Sequence, residues 1–183
     1  MVISRSAYSV AGKIGKIEGH TIVVWVDNEA GVLARVVGLF SGRGYNIDSL
    51  AVAEVDKKNN LSRITIVTSG SPQVIEQIKL QLKKLIPVHK VADFPKGKTL
   101  FRELALLKVI SNEKKRERAK KICKKYNSLI LDKTKKSFVV EVAALRKEID
   151  KLISLLQPLG LASVSRTGVV AMSKGAEVFG EKQ

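Results

Sequence analysis

Residues Val24–Ala53, VWVDNEAGVLARVVGLFSGRGYNIDSLAVA, decide how this chain is read. The β-branched and aromatic run Thr21–Val26 predicts a buried strand. Asp27, Asn28, Glu29, Ala30 and Gly31 supply the polar side chains and the glycine of a tight reversal. Leu33, Val36, Val37 and Phe40 then recur at i, i+3, i+4 and i+7, the apolar stripe of an amphipathic helix. Gly42 and Gly44 close that helix, and Ile47–Glu54 reads as a second strand. The stretch is therefore strand, loop, helix, turn, strand.

Its chemistry concentrates at the start of the helix. The first backbone N–H groups there lack internal partners and carry the positive end of the macrodipole, so a loop ending in Gly31 can seat a small carboxylate. Glycine lets a ligand approach the main chain closely. Asn28 and Asn46 offer amide donors and acceptors, which a zwitterion with carboxylate and ammonium requires. The same residues also fit a purely architectural reading, in which Asn28 caps the helix and Asn46 turns the chain.

Working outward, Met1–Gly19 shows no apolar period and reads as a flexible leader. After a polar hairpin loop at Asp56–Asn60, Ser62–Thr68 (SRITIVT) alternates as a third strand. Pro72 stands at a plausible first helical position, Ile75, Ile78, Leu82 and Leu85 stripe a second helix, and Pro87 closes it. Val88–Phe94 is a fourth strand, and Pro95 with Gly97 marks a linker. The order then recurs: strand Leu104–Ile110, helix Glu113–Tyr126, strands Leu129–Asp132 and Phe138–Val142, a helix striped by Leu145, Ile149, Leu152, Ile153 and Leu156, and a last strand from Leu161 towards Met172. The predicted fold is α+β, two tandem ferredoxin-like βαββαβ domains at 20–95 and 96–175. A leader at 1–19 and a frayed tail at 176–183 flank them.

Composition narrows the function. No window approaches the roughly 20 apolar residues of a membrane span, and no signal-peptide core is present at the N-terminus. The lone Cys123 shares a face with Ala119, Ile122 and Tyr126, which marks it as a core residue. No metal-ligand spacing occurs. His20 and His89 have no evident Ser, Cys or carboxylate team, and no GxxxxGK[ST] loop is present, so the chain is not expected to be an enzyme on its own. The formal charge of +16 is uneven: residues 1–95 hold 12 Lys and Arg against 8 Asp and Glu, and residues 96–183 hold 21 against 9. The densest run, KKRERAKKICKK at Lys114–Lys125, fits a helix with a solvated basic face or a surface for an acidic partner or RNA. The middle strands IDSLAVAE and SRITIVT carry no aromatic platform for RNA bases, which speaks against nucleic acid.

The blocks DNEAGVLARVVGLFSGRGYNIDSLAVAEVD and LSRITIVTSG resemble the small, regulatory subunit of acetolactate synthase (acetohydroxyacid synthase). FRELALLKV and PLGLASVSRTGVVAMSKG extend the likeness to about Gly175. The resemblance implies an N-terminal ACT domain followed by a second ACT-like domain in a non-catalytic subunit. It implies a homodimer through paired ACT domains, a branched-chain amino acid, usually valine, bound at their interface, and a partner in the catalytic (large) subunit. Thiamine diphosphate, Mg and FAD are expected in that catalytic subunit and no cofactor in this chain. Carried over by position, the effector residues are Asn28, Gly31, Val32 and Leu33 from one subunit and Asn46 and Ile47 from its partner, with Ala53 affecting the valine response. The leader is longer and the second domain richer in lysine than is usual for bacterial members. The lack of a transit-like N-terminus favours a bacterial cytoplasm over an organelle. The readings outside this family are a stand-alone amino-acid-sensing ACT protein and an RNA-binding module.

Overall fold

The computed structural model describes residues 16–176 together with 178 and 179. The leader up to residue 15 lies outside the described residues. Glu18 and Gly19, assigned above to the leader, instead begin the first strand, pairing with Gly70 and Ser69.

The element order is β1 (Glu18–Asp27), α1 (Val32–Ser41), β2 (Ser49–Asp56), β3 (Leu61–Gly70), α2 (Pro72–Leu82) and β4 (Val88–Asp93). It repeats as β5 (Thr99–Ile110), α3 (Glu113–Lys124), β6 (Leu129–Lys133), β7 (Ser137–Ala144), α4 (Arg146–Leu156), a 3-10 turn at Gln157–Leu159, and β8 (Leu161–Ser173). Each half forms a four-stranded sheet, ordered β2-β3-β1-β4 and β6-β7-β5-β8, with antiparallel pairing throughout. The strand orders are equivalent, so the α+β, tandem ferredoxin-like expectation is borne out.

The helices of each half cover one face of its sheet. In the first half Ile22, Val24, Ile64 and Ile66 meet Val36, Phe40, Ile75 and Ile78. In the second, Ala105, Leu107, Phe138 and Val140 meet Ala119, Ile149 and Leu152. Burying each large side chain contributes about 1.5 to 3 kcal/mol. The α1 stripe differs from expectation at two positions, Val32 and Leu39 being buried in place of Leu33 and Val37. Val32, Val36, Leu39 and Phe40 face the core, and Leu33 is 40% exposed. Val32 and Leu33 differ by only about 100° on the helix, a difference that hydropathy does not resolve.

β1 is buried on both faces. Its even positions face the helices, and Val23 and Trp25, on the other face, join Phe94 and Ala171 in a separate cluster with Phe101 and Phe179 at its margin. The cover is the far half of β8, since β5 and β8 run past the second sheet as a two-stranded ribbon that lies on the first. Arg63 donates to the carbonyl of Ala171 there. Phe179 stands edge-on to Phe94 with ring centroids 5.3 Å apart, so this part of the tail packs where fraying was expected.

The second domain is braced by one buried acid. Glu103 is 3% exposed. Arg166 donates from Nε and Nη2 to its two carboxylate oxygens at 2.8 and 2.7 Å. From Nη1 it also donates to Asp150 of α4 at 2.6 Å. These bonds, chiefly to Glu103, hold the guanidinium above its ordinary pKa. Arg166→Met leaves Glu103 buried without its cation. The expected loss is about 3 kcal/mol of stability, read as an earlier urea midpoint; an unchanged midpoint would contradict this bracing role.

Candidate functional site

The two turns that flank α1 are built differently. At the start, Gly31 is the N-cap in the left-handed region, φ 82°, and no side chain caps the helix. The first intrahelical bond runs from Arg35 N–H to Gly31 C=O at 3.0 Å. Val32 N–H donates to the Glu29 carbonyl at 3.4 Å, which leaves the N–H groups of Leu33 and Ala34 without an intrahelical acceptor at the positive end of the helix dipole. A Cβ built on Gly31 would meet no atom within 4 Å, so the backbone here is open to a ligand.

Asn28 does not cap the helix, contrary to the architectural reading. Its Oδ1 accepts from Ser62 Oγ at 3.0 Å, its N–H donates to the carbonyl of Asn60 at 2.8 Å, and its own carbonyl accepts from Asn60 Nδ2 at 3.3 Å. The β2–β3 hairpin thus fixes the loop before Gly31.

At the far end, α1 closes in a Schellman motif. Tyr45 N–H donates to Phe40 C=O at 3.0 Å and Gly44 N–H to Ser41 C=O at 3.2 Å, Gly44 is left-handed, and the Phe40 and Tyr45 rings meet edge-on. That is the hydrophobic contact the motif favours. The chain is thereby aimed so that Thr68 Oγ1 donates to the Asn46 carbonyl at 2.6 Å. Asn46 Nδ2 donates to Asp48 Oδ1 at 2.6 Å, and Asp48 Oδ2 accepts from Ser69 Oγ at 2.9 Å.

Asp48 is a candidate the sequence reading missed. Its carboxylate is pinned beside Asn46 and can face an ammonium group. The signal was present as Asn46-Ile47-Asp48, but a turn aspartate is ordinary without β3 to hold it.

The structure brings Asn28, Gly31 and Val32 together at one end of α1 and Asn46 with Ile47 at the other. Ten helical residues separate them, roughly 15 Å. Val32 is buried, Leu33 is exposed beside the loop, and Ile47 packs against the first core. The Asn46–Asp48 turn leads into the edge strand β2, where Val52 and Val55 are 44% and 48% exposed, and the loop before Gly31 is tied to the β2–β3 hairpin through Asn60 and Ser62. Ala53 falls elsewhere. It pairs with Arg63, on the sheet face away from the helices, beside the ribbon from the second domain.

The histidines each have a carboxylate after all. His20 Nδ1 lies 2.9 Å from Asp93 Oδ2, and His89 Nε2 lies 2.6 Å from Asp27 Oδ1. Antiparallel pairing of β1 with β4 unites residues 73 and 62 positions apart. His20 Nε2 is buried without a hydrogen-bond partner among the described residues, so the Asp93–His20 pair activates no nucleophile there. Burial pushes the Cys123 thiol up. Among the described residues no His, Cys, Asp or Glu cluster could hold a metal ion, and no helix is long and apolar enough to cross a membrane.

Residues 22–90 match the family model described as the AHAS small subunit-like ACT domain. The molecule is therefore a tandem of ferredoxin-like units headed by an ACT domain. Residues 102–175 match the model described as the small subunit of acetolactate synthase. The chain is 40% identical over 156 residues to the probable acetolactate synthase small subunit of Archaeoglobus fulgidus, covering 85% of this chain and 97% of that one. It is 38% identical over 157 residues to the acetolactate synthase isozyme 3 small subunit of Salmonella typhimurium, covering 85% and 96%. The crystal structure of the acetolactate synthase small subunit from Thermotoga maritima matches with a TM-score of 0.80 at 33% identity, over 87% of this chain and 99% of that one. The chain belongs to the acetolactate synthase small subunit family.

The β2 edge is tied to the second domain three residues after Asn46. Ser49 Oγ accepts from Val169 N–H at 3.0 Å. Gly168, φ 81°, passes so close that a Cβ would stand 2.9 Å from the Leu50 carbonyl oxygen. Gly168→Ala is expected to cost at least the ~1 to 2 kcal/mol of a left-handed L-residue and to push β8 off β2. Trp25, the single tryptophan, would report this as red-shifted emission; an unshifted spectrum would contradict the close approach.

Proposed function

We propose that this chain is the non-catalytic regulatory subunit of acetolactate synthase in branched-chain amino acid biosynthesis, working in the cytoplasm. It binds valine between two paired ACT domains, activates the catalytic subunit and confers feedback inhibition. The observation that carries this reading is the split of the candidate residues between the two ends of α1, in a sheet whose β2 edge has no further strand. A second copy placed edge to edge by a two-fold axis sets the Gly31 loop of one subunit beside the Asn46–Asp48 turn of the other, and completes two equal sites.

Each group then has a task. The N–H groups of Leu33 and Ala34 take the ligand carboxylate, while the Asn46 amide oxygen and the Asp48 carboxylate take the ammonium. Leu33 and Ile47 line the aliphatic side chain, and Asn28 shapes the loop. Ala53, beside Arg63, acts on the response through the domain junction. Thiamine diphosphate, Mg and FAD belong to the catalytic subunit, which performs the transferase chemistry.

Regulation is linkage. Valine shifts the pairing geometry only by its difference in affinity for two states, typically ~1 to 3 kcal/mol of coupling, and the catalytic subunit must change valine affinity by the same factor.

Calorimetric titration of the purified chain with valine, leucine and isoleucine tests this. Saturable binding, strongest for valine, is expected. Gly31→Asp places a carboxylate against the ligand's own and is expected to weaken valine by at least about a hundredfold. Gly31→Ala carries the same backbone strain without the charge and separates the two effects. Retained valine binding by Gly31→Asp would overturn the site. Asn46→Ala removes one hydrogen bond, about 1 kcal/mol or roughly fivefold in affinity; an identical titration would remove Asn46 from the site.

A further inference from the structure

The second sheet ends in an edge unlike the first. β6 is outermost, paired only with β7, and each of its five residues is exposed. Leu129, Ile130 and Leu131 are 60%, 43% and 50% exposed. Three consecutive large apolar residues on a free edge present both greasy side chains and unpaired backbone groups, the features that recruit an added strand. Ile130 shares a groove of about 260 Å³ with Lys120, Lys121, Cys123, Lys124 and Ser128. The apolar edge is thus rimmed by the basic face of α3. Residues 113–136 hold 11 Lys and Arg against 3 Asp and Glu, half of the chain's net charge.

We propose that the β6 edge and the adjoining face of α3 form a docking surface for an extended apolar segment, flanked by Asp or Glu, of a partner protein. The segment adds to β6 as a strand, and its acids meet Lys121, Lys124 and Lys125. Resting on the function proposed above, the partner is the catalytic subunit.

Charge selects among occupants. A second copy would set this basic cluster against its own image, and the β-bulge between Ile130 and Asp132 together with the nearby lysines is the kind of device that keeps an edge from self-pairing. Nucleic acid calls for aromatic faces on which bases stack. Here the exposed apolar side chains beside the lysines are Leu129, Ile130 and Leu131, and the nearby aromatic Tyr126 is half-buried against the second core.

The test measures association of the full chain with its purified catalytic subunit by biolayer interferometry, at about 0.05 and about 0.5 M salt. Leu129→Glu with Leu131→Glu is expected to weaken association at least about tenfold at both salt concentrations. Lys121→Gln, Lys124→Gln and Lys125→Gln together are expected to weaken it several-fold at low salt and to flatten the salt dependence. Both variants should keep the wild-type melting temperature, oligomeric state and valine titration, since the altered side chains are exposed. Wild-type affinity in both variants would overturn the docking surface and leave the regulatory function standing. Failure of the wild-type chain to bind the catalytic subunit would overturn that function and this partner with it. A homodimer that the leucine variant splits, or a single-stranded RNA oligonucleotide that binds more tightly than the catalytic subunit and is lost in the lysine variant, would also overturn the proposal.

Discussion

The length of α1 constrains everything proposed for the first domain. In the proposed site its two ends carry complementary halves, the N–H groups of Leu33 and Ala34 at one end and an amide with a carboxylate at Asn46 and Asp48 at the other, held apart by ten helical residues. An amino acid is one residue long, about 3.5 Å of backbone, so it cannot bridge the roughly 15 Å of such a helix. On that proposal a single chain holds half of each of two sites, and an arrangement that swaps the ends completes them. Two-fold symmetry at the β2 edge is the simplest such arrangement, because it places the same patch on both sides. Each half is held rigid before any ligand arrives. Ser62 and Asn60 fix the Asn28 loop, and the Schellman closure with Thr68 and Ser69 fixes the other turn.

The same edge gives the first domain a mechanical connection. β2 starts one residue after Asp48, and its first two residues are those that β8 touches through Gly168 and Val169. A change in how two ACT domains pair is a change in the position of β2, and β8 has no slack there, since a close-packed backbone contact transmits displacement rather than absorbing it. On the other side of the ribbon, Trp25, Val23 and Phe94 bury Ala171. The proposed effector site, the sheet edge and the second domain thus form one contiguous path, and Ala53 stands along it beside Arg63.

What the sequence shows of this arrangement is its local part. Helix stripes, the glycine turns and the repeated βαββαβ order depend on residues a few positions apart, and the structure follows them closely. The misses are non-local. His20 and His89 acquire carboxylates only through the β1–β4 pairing. Asp48 matters only because β3 brings Ser69 to it. The unbroken apolar run of β1 signals burial on both faces but does not say what covers the second, and the cover comes from residues more than a hundred positions later. For the same reason the start of β5 at Thr99 reads as linker: its partners Ser173, Met172 and Ala171 are at the other end of the domain.

Duplication of one topology makes β2 and β6 equivalent edge strands, and the chain treats them oppositely. At β2 the exposed apolar residues Val52 and Val55 lie in a half where cations and anions are nearly matched, so two copies can approach without electrostatic penalty. At β6 the apolar residues are as exposed, but lysines crowd both the helix and the hairpin beside them. Like charges at close range cost more than one short strand recovers through backbone bonds, so the two edges cannot substitute for one another in self-pairing. Charge patterning thereby distinguishes the two edges in the way the proposed assembly requires, a symmetric pairing at the first and a different surface at the second, although both sheets share one strand order.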